Sequence, residues 1–196
     1  PAHPVICMDE QPIQLHAEVR EPIPAQPGRP EKYDYEYKKN GVVCGFVFTE
    51  PLGLWRRITI SETRTKKDWA HQMQQLLDVE YPEAEKVILV CDNLNIHVPG
   101  AFYEAFPPQK AQTLLNRLEI HHTPKHGSWL NVAEIELSVF TGQCLKRRIP
   151  TIEMLRKEAS AWNRQRNQSQ EGVDWQFTTD EARIRLKWLY PMILEN

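Results

Sequence analysis

Lys86-Val-Ile-Leu-Val-Cys-Asp92-Asn-Leu-Asn-Ile-His97 is the stretch that decides the fold. Residues 87–91 are all apolar, include two Val and one Ile, and follow Pro82 and the charge-rich residues 83–86. Such a run suits a strand buried on both faces in the middle of an α/β sheet. It leads straight into Asp92, and the carboxyl end of a central strand is where open α/β sheets hold their ligands. Asp92-Asn93 also suits the start of a turn, so this stretch alone leaves two readings of the aspartate.

The rest of the chain fits one globular domain. Its 196 residues are 41% hydrophobic and 26% charged, with six Trp, a composition that buries roughly 70% of the unfolded surface at this size. The net charge of −2 is unevenly spread. Residues 1–109 carry 11 basic and 16 acidic side chains and residues 110–196 carry 13 and 10, so the second half is the side expected to face anions. Cys7, Cys44, Cys91 and Cys144 are far apart in apolar contexts. With no Cys-x-x-Cys pair and no secretory leader, they read as reduced core thiols of a cytosolic protein. No apolar run approaches membrane-spanning length.

Residues 4–10 form a second short apolar run ending in acids, Asp9-Glu10, and read as the first strand. Five prolines between residues 11 and 32 predict an extended loop. Tyr33, Tyr35 and Tyr37 alternate with polar residues ahead of Asn40-Gly41, and a β-branched and aromatic run follows, which predicts a hairpin turning at Asn40-Gly41. Residues 55–61 give another strand. Residues 65–79 give an amphipathic helix presenting Trp69, Met73, Leu76 and Leu77 and stopped by Pro82. Beyond the central strand come short helices at 100–106 and 109–117 and a strand at 118–123. A loop at 124–128 follows, and Ser128 would cap a helix running from 129 to about 145. Helices at 151–166 and 179–189 complete a mixed sheet, antiparallel first and then built of βαβ units.

Two strands that each deliver an aspartate, Asp9 and Asp92, can lie side by side and bring two carboxylates within a few ångströms. Like charges that close repel, and a hard divalent cation with oxygen ligands removes the conflict. A third acid should come from a helix near the same strand ends, where Glu134 and Glu136 are the candidates. Two residues along a helix turn roughly 200°, so only one of them can face the metals. An unpaired Glu is costly in so apolar a helix, which favours a ligand role for one; pairing to a nearby Lys or Arg is the alternative.

Asp9, the run Asp92-Asn-Leu-Asn-Ile-His97, and Thr123-Pro-Lys-His-Gly-Ser-Trp-Leu-Asn-Val-Ala-Glu134 together resemble the catalytic domain of bacterial DDE transposases of the insertion sequence 630 group, related to mariner elements. The resemblance spans nearly the whole chain, including residues 33–37, 50–52, 103–108, 144–149 and 175–179. It implies a ribonuclease H-like α/β fold, a mixed five-stranded sheet flanked by helices, filling residues 1–196 as a single catalytic domain. It implies a triad of Asp9, Asp92 and Glu134 holding Mg²⁺ or Mn²⁺, two ions in all. The implied reaction is metal-dependent DNA strand cleavage and strand transfer at the terminal inverted repeats of an insertion sequence, by a homodimer, in the bacterial cytoplasm at the nucleoid. No helix-turn-helix is read in the chain, so the DNA-reading region is expected upstream. Two rival readings share the fold: a domesticated, inactive remnant that binds DNA or protein, and a ribonuclease H-like nuclease without strand transfer.

Lys125 and His126 precede the Glu134 helix and suit a DNA phosphate, as does the basic run Lys146-Arg147-Arg148. A solvated loop lysine and a favourable helix-end charge are the plainer readings of the same residues. Asn93 or Asn95 could orient a metal-bound water, and His97 lies beside them, although capping and turn roles explain the asparagines equally well. His97, His121, His122 and His126 match no compact zinc pattern.

Overall fold

The computed structural model describes residues 2–125, 127–170 and 172–187 of the chain. Five strands form one mixed sheet: β1 (Val5–Glu18), β2 (Tyr37–Glu50), β3 (Trp55–Ser61), β4 (Val87–Cys91) and β5 (Leu118–His122), in the spatial order β3-β2-β1-β4-β5. The pairs β3/β2 and β2/β1 are antiparallel, and β1/β4 and β4/β5 are parallel. The helices are α1 (Lys66–Gln75), α2 (Gly100–Ala105), α3 (Pro108–Asn116), α4 (Ala133–Cys144), α5 (Ile152–Ser169) and α6 (Thr179–Arg185).

Strand alternation sorts the core into two halves. Ile6, Met8, Phe46, Phe48, Leu89 and Cys91 pack against α1, α2 and α3, while Cys7, Ile13, Leu15, Val43, Val47, Ile58 and Ile60 pack against α4 and α5. The four cysteines are buried free thiols divided between these halves. No described helix is long and apolar enough to cross a membrane.

Several elements form where local chemistry demands them. Thr65 caps α1 with a full capping box to Asp68, and Trp69, Met73, Leu76 and Leu77 are all buried, the last two in a π-helical turn, Leu76–Glu80, that ends short of Pro82. Thr151 caps α5, whose buried side presents Leu155, Ala159 and Trp162. Thr178 and Glu181 form a second capping box at α6, of which the expected residues 188–189 lie outside the described ones.

Four expectations need correcting. Residues 11–18 are not loop but the second half of β1. Beyond Cys7 that strand pairs only with β2, and an edge position is where a strand tolerates Pro12. The hairpin at Asn40-Gly41 does not form, since both residues lie inside β2. Gln14 pairs with Val42 and His16 with Lys39, so two residues oppose Leu15 alone, a β-bulge in which Gly41 takes φ +95°. The central strand β4 is fully covered on one face only. Val87, Leu89 and Cys91 are buried under α1–α3, while Ile88 and Val90 on the α4 side are half-buried. Ser128 does not cap α4, because residues 128–130 make a 3₁₀ turn and α4 begins at Ala133 without a side-chain cap from Val132.

Candidate active site

The parallel register of β1 and β4 pairs Cys7 with Val90. Two residues further along the chain are Asp9, inside β1, and Asp92, just past β4, so the register sets them side by side at the carboxyl end of β4, on strands about 4.8 Å apart. Asp9 shares the parity of Cys7 and turns toward α4, whereas Glu10 shares the parity of Met8 and turns toward α1.

Asn131 ties the start of α4 to this corner. Its buried Nδ2 donates to the carbonyl of Met8, beside Asp9, at 2.7 Å, and its Oδ1 accepts from the Ala133 N–H at 3.2 Å. Glu134 follows one turn later with its N–H on the Asn131 carbonyl. Asn131→Ala should cost about 2–3 kcal/mol in chemical unfolding, because the Met8 carbonyl would stay buried without its donor; a cost below 0.5 kcal/mol would show the tie to be dispensable.

The two α4 glutamates have separate fates. Glu136 is fully buried, with Oε1 3.2 Å from Nε of Arg56 on β3 and 3.5 Å from Nη2 of Arg166 on α5. Arg56 also donates to the Arg166 carbonyl, so β3, α4 and α5 meet at one charge cluster. Glu134 is half-buried, and its charge, with those of Glu10 and Asp92, acts on Asp9. Burial above all, and then this repulsion, pushes the Asp9 carboxyl up to about 7 against the opposing hydrogen bond from the Glu10 N–H.

Asp92 behaves oppositely. A hydrogen bond from His97, ahead of the cost of its partial burial, holds its carboxyl below the ordinary value. His97 Nδ1 lies 2.9 Å from Asp92 Oδ1, and its Nε2 lies 3.2 Å from Glu10 Oε2. Burial is the largest single influence on the His97 imidazole and works to lower it; contacts with Asp92, Cys91 and Glu10 outweigh that and hold it up at about 12. Among the described residues, Glu10, Asp92 and His97 are the group of potential ligand side chains whose atoms converge within 4.8 Å. Sequence reasoning missed Glu10. The Asp9-Glu10 doublet carried the signal, because alternation must turn one of two adjacent acids into the opposite face of the sheet. Arg64 was missed too: its guanidinium is 4.0 Å from Glu10 Oε1 and helps lower the Asp92 carboxyl.

The other candidates are scattered around this corner. Asn93 and Asn95 are exposed, and Asp92 Oδ1 accepts from the Leu94 N–H, so the turn reading of Asp92 holds alongside the strand-end one. Lys125 is exposed in its loop, and His126 lies outside the described residues. Of the basic run, Arg147 is ion-paired with Glu158. Arg148 is spent on Glu18, on the carbonyls of Tyr35 and Glu36, and on the faces of Tyr33 and Tyr37, fastening the 33–37 segment to the end of α4. His121 pairs with Glu119 on the surface, while His122 Nδ1 sits 3.1 Å from the Asp92 carbonyl.

Comparison with known proteins agrees with this architecture. Two crystal structures of the Mos1 mariner protein, each 18% identical, share the fold: the paired end complex with Mn, at a TM-score of 0.55 over 96% of this chain, and the strand transfer complex, at 0.56 over 83%. They establish the ribonuclease H-like arrangement of a mixed five-stranded sheet flanked by helices. This chain spans about half the length of each, 54% and 48%. No curated protein sequence matches it significantly. The profile of the DDE superfamily endonucleases matches residues 4–156, from the first residue before β1 through the opening of α5, and on that match the chain belongs to the DDE superfamily of endonucleases.

Proposed function

We propose that this chain is the catalytic core of a mariner-related transposase of the insertion sequence 630 type, which cuts DNA at the element's terminal inverted repeats and joins the ends to target DNA. What carries the reading is the corner where β4 ends beside the middle of β1: Asp9 lies next to Asp92 by register, with Glu134 near enough to raise the Asp9 carboxyl.

The donor set fits a hard divalent cation. Three carboxylates supply oxygens alone, and a half-buried aspartate whose side-chain hydrogen bond comes from the next residue's N–H has capacity left for a metal. Asp9, Asp92 and Glu134 would hold Mg²⁺ or Mn²⁺, two ions once DNA phosphate joins. Bound there, such ions lower the pKa of water or a 3′-hydroxyl and neutralise charge on the phosphate. The chain's own residues do the rest. Asp92 stays ionised through His97. Lys125, in the loop before α4, and Lys146 at its far end offer cations to the DNA backbone, His126 is proposed from the sequence as a further phosphate contact, and Asn93 and Asn95 offer amides beside Asp92. Mos1, which shares the fold, is known as a paired end complex with Mn and as a strand transfer complex, which supports a divalent metal and paired DNA ends here; a homodimer of this core is the assembly proposed to hold the two ends.

Calorimetric titration of Mn²⁺ into the parent and Asp92→Asn, with and without a short duplex, tests the site. Binding in the parent that weakens at least tenfold in the variant is expected; equal binding would refute the site. Product analysis on element-end substrates then separates strand transfer from simple hydrolysis.

A further inference from the structure

We propose that His97 is a positioning residue that fixes the carboxylate of Asp92 from behind, braced by the buried Glu10, and so sets how tightly the corner takes a divalent cation. This rests on Asp92 being a metal ligand.

The geometry is that of a brace. The turn after β4 folds back, with the His97 N–H on the Leu94 carbonyl at 3.0 Å, so the ring returns beneath Asp92. Nδ1 sits 2.9 Å from Asp92 Oδ1 and 3.0 Å from the Asp92 carbonyl, fixing side chain and backbone of one residue together. The ring is fully buried and held against Trp69 of α1 at a centroid distance of 5.5 Å. Its other nitrogen meets Glu10, whose side chain is 2% exposed. Buried at this depth, Glu10 and His97 leave no opening for a hydrated cation between them, so their chemistry is directed at Asp92, the member of the trio that reaches solvent at 36% exposure. Arg64 lies at the rim of the same group. A side chain with one oxygen engaged from behind presents the other outward in a fixed direction, which is how partners behind a metal ligand commonly tune affinity.

Substituting the two nitrogens separately tests this. Asn places its amide near the Nδ1 position and Gln near Nε2, so His97→Asn keeps the donor to Asp92 and His97→Gln loses it, while both lose the packed ring. Both are made in a Glu10→Gln background, which removes the acid that would otherwise be stranded in the core. Mn²⁺ affinity is read by calorimetry and thermal unfolding is read on the metal-free protein. Relative to Glu10→Gln alone, the Asn variant should bind within about threefold, and the Gln variant about 10–100-fold more weakly, at similar melting temperatures. Equal Mn²⁺ affinities in the two variants would mean that His97 only fills space, and would overturn the proposal. If the parent itself takes up no Mn²⁺, with or without duplex, the metal-site reading fails and this inference with it.

Discussion

Replacing Glu136 by glutamine should lower the stability of this protein by about 3–5 kcal/mol, the cost typical of breaking a buried ion pair from one side. Arg56 and Arg166 both reach Oε1 of this carboxylate, and its side chain is fully buried. The amide is the same size, so packing is unchanged and the loss reports charge alone. A protein of this length should melt roughly 10 °C lower, at about 2–4 °C per kcal/mol. A loss below about 1 kcal/mol would show that water or rearrangement satisfies the arginines. Replacing all three residues by Met should recover much of the stability, because buried ion pairs are often matched by apolar packing of equal volume. The cluster also bears on the proposed metal site: Glu136 sits on the buried stripe of α4 with Ala133, Leu137, Phe140 and Cys144, so anchoring it fixes the rotation that leaves the Glu134 charge acting on Asp9.

That stripe shows why α4 was only partly legible. Periodicity would bury Ile135 and expose its charged neighbours, yet Ile135 is 37% exposed and Glu136 is wholly buried. The partners that reverse the choice, Arg56 and Arg166, stand 80 residues before and 30 after, and a local pattern cannot contain them. The same distinction runs through the fold. Residues 55–61 and the buried stripe of α1, with Trp69, Met73, Leu76 and Leu77, were readable because apolar spacing acts within a few residues. Asn40-Gly41 was misread because its two meanings, hairpin turn or bulge, are decided by which strand lies opposite, and that strand is residues 11–18, whose proline pointed to loop. Asp92 was readable as a strand-ending acid, but Asp9 was not, since β1 runs on to Glu18 and only its pairing with β4 stops at Cys7; their alignment needed the register of Cys7 with Val90. Glu10 became visible only when the sheet's parity turned it toward His97.

Asp9→Asn should abolish strand cleavage and stabilise the metal-free protein. The Asp9 carboxyl ordinarily titrates at 3.8 and is pushed up to about 7 in the fold, by burial first and by Glu10, Asp92 and Glu134 after it. Between those values the folded protein keeps a proton that the unfolded chain has released. Stability therefore falls as pH rises from about 4 to about 7, and stays at its lower level above that. The full gap corresponds to at most about 4 kcal/mol, and solvent reaching the open side of the site reduces it. Asparagine carries no such penalty, so the variant should be about 2 kcal/mol more stable at pH 8, with the difference vanishing near pH 4 in paired unfolding curves. A variant no more stable at pH 8 than at pH 4, relative to the parent, would show that Asp9 is ionised in the fold without penalty. Cleavage should drop about a thousandfold or more, since a bound metal's charge stabilisation is worth several kcal/mol and each 1.36 kcal/mol is a factor of ten. Gain of stability with loss of activity marks a carboxylate that the fold holds at a cost for its chemistry. On the proposed metal site, the same proton competes with Mn²⁺. Affinity in the parent should weaken as pH falls below about 7, and in Asp9→Asn that part of the pH dependence should disappear.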